Sequence, residues 1–371
     1  MRAAGEPTSV DELRGPPPSD DVNAAPEIAA ALKWAQDAAG DSSGWPRLAR
    51  EFGDPPLTDA ERRAAEEFVA RLLPFVHRVE AALARPRCAF PSARDDRPEA
   101  FGETSPTVID TWSLLSTIAR NAGDPDERIE ACRALMLLAV RLETHDELDR
   151  TVHTLAIVND CTTAMQTGLE SGGWDPGRAR ARLDDVLAEP WLARTKRIVT
   201  EYRVGEIERY EIDLERKDRS SNGTVRHIAD AGSTDDLIAS AASWREMAEL
   251  PTTSYVQYRA GVRKLHAGLA SWIFCDGGTF ARVEAECRLA RVALALAEHR
   301  RKYGDFPERL DELSSAFPDG VPLDPFTDAP FNYVLDERSV WISTRGLFAD
   351  EIRNDDGNGP VVGLMLWMLK R

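Results

Sequence analysis

The sequence predicts an α+β protein that is mostly α: an irregular array of helical hairpins, then a long helix packed on a small antiparallel sheet. Three observations predict it. Segments with apolar residues at helical spacing recur from about residue 27 to about residue 216. One long helical pattern runs from Thr279 to about Tyr303. After Gly304, the prolines Pro307, Pro318, Pro322, Pro325 and Pro330 exclude any long helix, and short apolar runs take its place.

The elements follow in order. Residues 1–26 are rich in Pro, Asp and Ser, and Pro16-Pro17-Pro18 favours an extended arm. Residues 27–40 are Ala-rich and helical. Thr58-Asp-Ala-Glu61 is a capping box that opens a helix with Phe68, Leu72, Phe75, Val76 and Val79 on its apolar face. Pro86 and Pro91 end it. A second helix covers Val108 to Ala122, with Trp112, Leu115 and Ile118 on one face, and Asn121-Ala-Gly-Asp-Pro125 breaks it. Asp126 to Leu142 is a third, nearly apolar from Ala134 to Val140 and therefore central. Asp146 to Leu169 is a fourth, stopped by Gly172-Gly173, and two more span Asp175–Leu187 and Trp191–Arg216. Short connections between such helices imply antiparallel packing.

Residues 217–234 are polar and Gly/Ser-rich, as a linker would be. Ser233-Thr-Asp-Asp236 caps a helix to about Glu249, and Pro251 starts another to about Phe274. Beyond Gly304, Glu308 to Leu313 suits a turn or two of helix. Phe331–Leu335 and Val340–Ser343 read as a hairpin across Asp336-Glu-Arg-Ser339, and Val361 to Leu369 as a third strand. The domain reading is an arm and first helix over 1–45, the helical array over 46–220, a linker with connecting helices over 221–278, and an α+β domain over 279–371.

Composition bounds the function. The 371 residues are enough for two domains. Hydrophobic residues are 43% and charged residues 29%, as in globular proteins. A net charge of -17 repels phosphate backbones and anionic lipid, so no nucleic acid is expected as a partner. No run of about 18 apolar residues predicts a membrane-spanning helix. The opening Met1-Arg-Ala-Ala-Gly-Glu-Pro7 reads as a start placed just after a removed segment. Five cysteines show no CxxC spacing, and the odd number leaves at least one free thiol. Cys132 and Cys161 lie in apolar helical patterns; Cys275 and Cys287 would be able to pair in an oxidising compartment.

Two resemblances add to this. The helical array resembles tetratricopeptide (TPR-like) solenoids, without their regular repeat of about 34 residues. Leu294-Ala-Leu-Ala-Glu-His-Arg-Arg-Lys-Tyr-Gly-Asp-Phe-Pro307 resembles the end of the spine helix in type II secretion pseudopilins. Glu308-Arg-Leu-Asp-Glu-Leu313, Val321-Pro-Leu-Asp-Pro325, Pro330-Phe-Asn-Tyr333 and the acidic stretch Asp350 to Gly359 resemble, in order, the pieces that follow it there. On this resemblance, residues 279–371 form a pseudopilin-like domain, with Tyr303 and Phe306 folding back at Gly304, and Tyr333 and Trp341 covering the helix. The spine helix is internal here, with Arg282, Arg288 and Arg291 in it, so reuse on another scaffold is expected rather than a filament subunit. Further pieces resemble a planctomycete-type bacterial family: Arg2-Ala-Ala-Gly-Glu-Pro-Thr-Ser-Val-Asp-Glu-Leu13, Asn23-Ala-Ala25, Ala84-Arg-Pro-Arg-Cys-Ala-Phe-Pro91, and the stretch 247–307. That resemblance implies an extracytoplasmic body (periplasm or cell envelope) attached to the membrane only through a preceding N-terminal anchor.

Four constellations bear on chemistry. Asp350, Asn354, Asp355, Asp356 and Asn358 surround Gly357 and Gly359, and hard oxygen donors on such a loop suit calcium. The major pseudopilins bind calcium in a comparable loop; the other reading is a solvated acidic turn. The EF-hand pattern fails, since position 352 is Ile and position 363 is Gly. His145, Asp149 and His153 stand at i, i+4 and i+8 on one helix face, as metal ligands or as an ordinary polar face. Cys275-Asp-Gly-Gly precedes a helix but has no assignable base, and no GxSxG elbow, P-loop or GxGxxG occurs. Leu364-Met-Leu-Trp-Met368 is either a buried strand or an exposed partner-binding patch.

The expected function is a non-catalytic extracytoplasmic interaction or scaffold protein with a protein partner, part of a secretion-like or surface assembly. The alternative is a hydrolase or lyase whose site is assembled from dispersed helical residues around His145, Asp149 and His153.

Overall fold

The computed structural model describes residues 18–39, 58–90, 106–143, 147–197, 199–200, 242–243, 245–265, 278–337, 339–345 and 366–370, with Glu12 and Val204. It is mostly helical with small sheets, an α+β protein dominated by α. The chain forms two compact units: Met1–Pro17 with Pro190–Ala281, and Pro18–Glu189 with Arg282–Arg371. The larger unit thus joins helices of the array to the C-terminal segment.

In the larger unit, α1 (Ala25–Ala39), α2 (Asp59–Leu83), α3 (Pro106–Asn121), α4 (Pro125–Arg141), α5 (Glu147–Glu170) and α6 (Pro176–Leu187) pack mainly with sequence neighbours. Helix α4 is central and touches α2, α3, α5 and α6. Its sequence explains this, since Ala131, Cys132, Ala134, Leu135, Met136, Leu138 and Ala139 are all fully buried. The starts of α4 and α6 use one device. Asp124 accepts from the Asp126 N–H at 2.9 Å and Asp175 from the Arg178 N–H at 3.1 Å, each followed by a proline that needs no N–H partner. Helix α2 continues through Pro74, which leaves one backbone carbonyl without its helical donor.

The segment before α1 is tied to the end of α2. Asn23 bridges Arg87 in parallel, and the Ala24 N–H donates to the Arg87 carbonyl at 2.8 Å. Next to it, β1 (Cys88–Ala89) pairs in parallel with β2 (Leu142–Glu143). This pairing joins the exits of α2 and α4.

Helix α8 (Gly278–Tyr303) follows α7 (Tyr255–Leu265) in the chain and belongs to the larger unit from Arg282 on. It is buried almost all round from Val283 to Leu296. It stops where Gly304 takes φ 87°, a conformation open to glycine, and the Gly304 N–H closes on the Arg300 carbonyl at 2.7 Å. Phe306 turns inward, but Tyr303 is 63% exposed and lies against His299 instead. A 3-10 helix (Leu310–Ala316) leads into the two-residue pair β3 (Leu323–Asp324) and β4 (Ala329–Pro330). Then β5 (Asn332–Leu335), β6 (Ser339–Ser343) and β7 (Leu366–Lys370) form an antiparallel sheet with β6 in the middle. Strand β7 packs on α5.

The register corrects one expectation. Tyr333 pairs with Ile342 and Trp341 with Val334, so Tyr333 and Trp341 lie on opposite faces. The turn sets this: the Asp336 N–H donates to the Ser339 carbonyl at 2.9 Å and the Ser339 N–H to the Asp336 carboxylate at 2.7 Å. With that closure the alternation is fixed, and only Tyr333 faces inward, where its hydroxyl donates to the Pro307 carbonyl at 2.6 Å.

The smaller unit contains a 3-10 turn (Trp191–Arg194) and α7 (Tyr255–Leu265). Trp191, Tyr255 and Tyr258 are buried there. Ser254 caps α7 by accepting from the Gln257 N–H at 3.2 Å. Gly261 permits a close approach, since a Cβ there would meet the Leu250 side chain at 2.4 Å.

Candidate functional site

The expected calcium donors Asp350, Asn354, Asp355, Asp356 and Asn358 lie outside the described residues, as do His145 and Cys275. Asp149 falls within α5, but its side chain is outside the description. His153 is half-buried, its ring edge-on to Trp112 with centroids 6.1 Å apart. Among the described residues, no group of three or more His, Cys, Asp or Glu is placed to hold a metal ion.

Two turns beyond His153, Asp160 gathers a polar cluster between α3 and α5. Its carboxylate accepts from Trp112 Nε1 at 2.8 Å and Ser116 Oγ at 2.9 Å, and it pairs with Arg120. The donors stand at i, i+4 and i+8 on α3, so one face of that helix serves one carboxylate. A carboxylate held by these donors bridges the helices as a strut. The sequence reading missed it.

Charged side chains brace α6 against α8. Arg291 donates to Asp184 at 2.7 Å, Arg180 to Glu298 at 2.8 Å and to the Ala316 carbonyl, and Arg301 pairs with Asp175. The Phe317 ring lies near both guanidinium groups, 5.3 Å from that of Arg180 and 5.6 Å from that of Arg291. Arg288 donates to the Leu323 carbonyl at 2.8 Å and pairs with Glu284. Arg282, Arg288 and Arg291 of α8 therefore each have an acidic partner, Arg282 taking Glu286. A second network links α2, α4 and α6. Arg133 donates to Glu80 at 3.1 Å and to both oxygens of Asp185 at 2.6 and 2.9 Å, while Arg182 pairs with Glu130. Burial, and then the Glu130 charge, push the Glu80 carboxyl up; the Arg133 hydrogen bond holds Asp185 below its usual value.

Buried titratable side chains lie beside these networks. Glu286 on α8 is 5% exposed, and its Oε2 has no hydrogen-bond partner. Burial raises its pKa from 4.5 to about 7, against the pull of Arg282. Cys132 and Cys161 are buried and free, and the hydrogen bond with Cys132, then burial, push the Cys161 thiol up. Cys287 is also buried.

The open surface lies on the sheet. Tyr333, Leu335, Val340, Ile342, Trp367 and Leu369 share the inner face by register, and the β6 and β7 members are buried. The opposite face carries the cross-strand row Val334, Trp341 and Met368. Val334 is 57% exposed and the other two are half-buried. Three large apolar side chains thus stand in a row across this sheet face. Of the segment Leu364–Met368, Leu364 and Met365 lie outside the described residues; Leu366 opens β7, Trp367 faces inward and Met368 outward.

Among the described residues, no helix is long and apolar enough to cross a membrane. Compared with known protein families, curated proteins and solved structures, the chain matched none.

Proposed function

We propose that the protein is a non-catalytic interaction or scaffold protein of the extracytoplasmic space, in which a TPR-like helical array carries a pseudopilin-type domain toward a protein partner. One observation supports it most: the sheet presents the apolar row Val334, Trp341 and Met368 on its outer face. Its other face packs on a body cross-braced by Asp184–Arg291, Arg180–Glu298 and Asp175–Arg301. A braced body holds such a surface in one geometry, which lowers the entropy cost of docking. In this reading the protein is part of a secretion-like or surface assembly, held at the membrane by an N-terminal anchor. The loop of Asp350, Asn354, Asp355, Asp356 and Asn358 takes calcium and stabilises the domain.

The test is site-specific photocrosslinking from position 341 in cell-envelope preparations. A discrete adduct, lost when the crosslinker sits at buried position 342, supports the reading. A monomer with no adduct from any outer-face position sinks it. Calorimetric titration of calcium into chelator-treated protein tests the loop: binding with a raised Tm, both lost in Asp356→Ala, is expected.

A further inference from the structure

We infer that the outer edge of β5 accepts an extended, lysine- or arginine-rich segment of a partner protein as an added antiparallel strand. This rests on the interaction reading above and names the site and the partner's chemistry.

The register supplies the geometry. Antiparallel pairs alternate, and the Asp336–Ser339 closure sets the phase. Asn332 and Val334 therefore spend their backbone groups on β6. Tyr333 and Leu335 direct their N–H and C=O groups away from the sheet. Among the described residues, no strand lies beyond β5.

Exposed edges are commonly blunted by a lysine, a proline or a bulge. From Asn332 to Leu335 there is no charged residue and no proline, and the four pairs to β6 run without a bulge. The Tyr333 hydroxyl bond to Pro307 pins the strand from beneath, so the edge is presented in fixed form. Above it, Val334 offers an exposed apolar side chain to a neighbouring strand.

Charge selects the occupant. Segment 305–338 carries nine acidic side chains and two arginines. Asp336 and Glu337 are exposed at one end of β5, and Asp328 precedes its other end. A second copy of this chain would bring the same acids edge to edge and be repelled. A strand with an apolar residue opposite Val334 and basic residues at its ends is attracted at both ends.

The experiment uses the full chain and a short synthetic peptide of alternating valine and threonine with lysines at both ends. Binding is read by fluorescence anisotropy at low salt, with amide exchange followed in parallel. The lysine-ended peptide is expected to bind and to slow exchange at the Tyr333 and Leu335 amides. A glutamate-ended peptide and the Asp328→Asn/Glu337→Lys variant, each checked by circular dichroism, should bind about tenfold more weakly. Backbone N-methylation of the peptide should abolish binding. No binding, binding indifferent to N-methylation, or protection elsewhere overturns the inference. Protection of Tyr333 and Leu335 without peptide, rising with protein concentration, assigns the edge to a second copy and also overturns it. An envelope adduct from position 341 that persists in the double variant leaves the interaction reading standing and removes β5 as its site.

Discussion

The Asn23 side chain holds the backbone of Ala89 at both ends of its amide: Nδ2 donates to the Ala89 carbonyl at 3.0 Å, and Oδ1 accepts from the Ala89 N–H at 2.9 Å. A side chain thus completes the ladder begun by the Asn23–Arg87 bridge, and Oδ1 also caps α1 at the Ala25 N–H. Arg85 adds a bond to the Asn23 carbonyl and an ion pair with Glu27. Asn23-Ala-Ala25 and residues 84–90, which belong to two segments picked out separately by resemblance, are therefore one joint.

Asn23→Ala leaves the half-buried backbone N–H and carbonyl of Ala89 without their side-chain partners. The expected loss is about 2–3 kcal/mol, read as a lowered urea midpoint. Asn23→Asp keeps the acceptor and loses the donor, so it should fall between. A neutral Asn23→Ala would show that water replaces the amide.

Gly168 on α5 lies under the Trp174 indole, where an added Cβ would sit 2.4 Å from ring atoms. Trp174 is 4% exposed and has little room to retreat. Gly168→Ala should cost about 2–3 kcal/mol despite alanine's better helix propensity. Combining it with Trp174→Leu should recover part of that cost, which a double-mutant cycle measures.

Much of the helical layout was legible because its signals are local. Asp124-Pro125, Asp175-Pro176 and Gly304 start or stop helices through their own backbone chemistry, so those bounds fall within a residue or two of expectation. The β5–β6 hairpin was legible from its alternation, but its inward face was not, because one turn bond at Asp336 decides it. Two-residue strands such as β1 and β2 carry no pattern of their own. Arg291 looked like a flaw in an apolar helix because its partner Asp184 lies 107 residues away in the chain. Asp160 was missed for the same reason: its donors are on another helix, and only the spacing of Trp112, Ser116 and Arg120 hints at a shared target.

Asp324 is wholly buried, its Oδ1 accepting from the Phe326 N–H at 3.0 Å and its Oδ2 from the Arg345 N–H at 2.6 Å. It anchors the β3–β4 turn to the end of β6. Asp324→Asn sets an amide donor against one of these N–H groups, whichever way it flips. A loss of about 2–4 kcal/mol is expected. Amide exchange should speed at Phe326 and Arg345 while the Asn23–Ala89 joint stays protected. Uniform loss of protection would mean that the C-terminal segment and the array unfold as one.

Glu286 should give the folded state a pH dependence of unusual sign for a carboxylate. Its folded pKa is raised, so between 4.5 and about 7 the folded protein keeps a proton that the unfolded chain has released. Stability from this site is therefore present below 4.5, declines across that window, and is lost above it. The shift corresponds to about 3 kcal/mol. Glu286→Gln imitates the protonated form at every pH. It should match the wild type near pH 4.5 and exceed it by up to that amount at pH 8, in urea unfolding at both values. Parallel curves for the two proteins would mean that water reaches Oε2 and the carboxylate ionises without penalty.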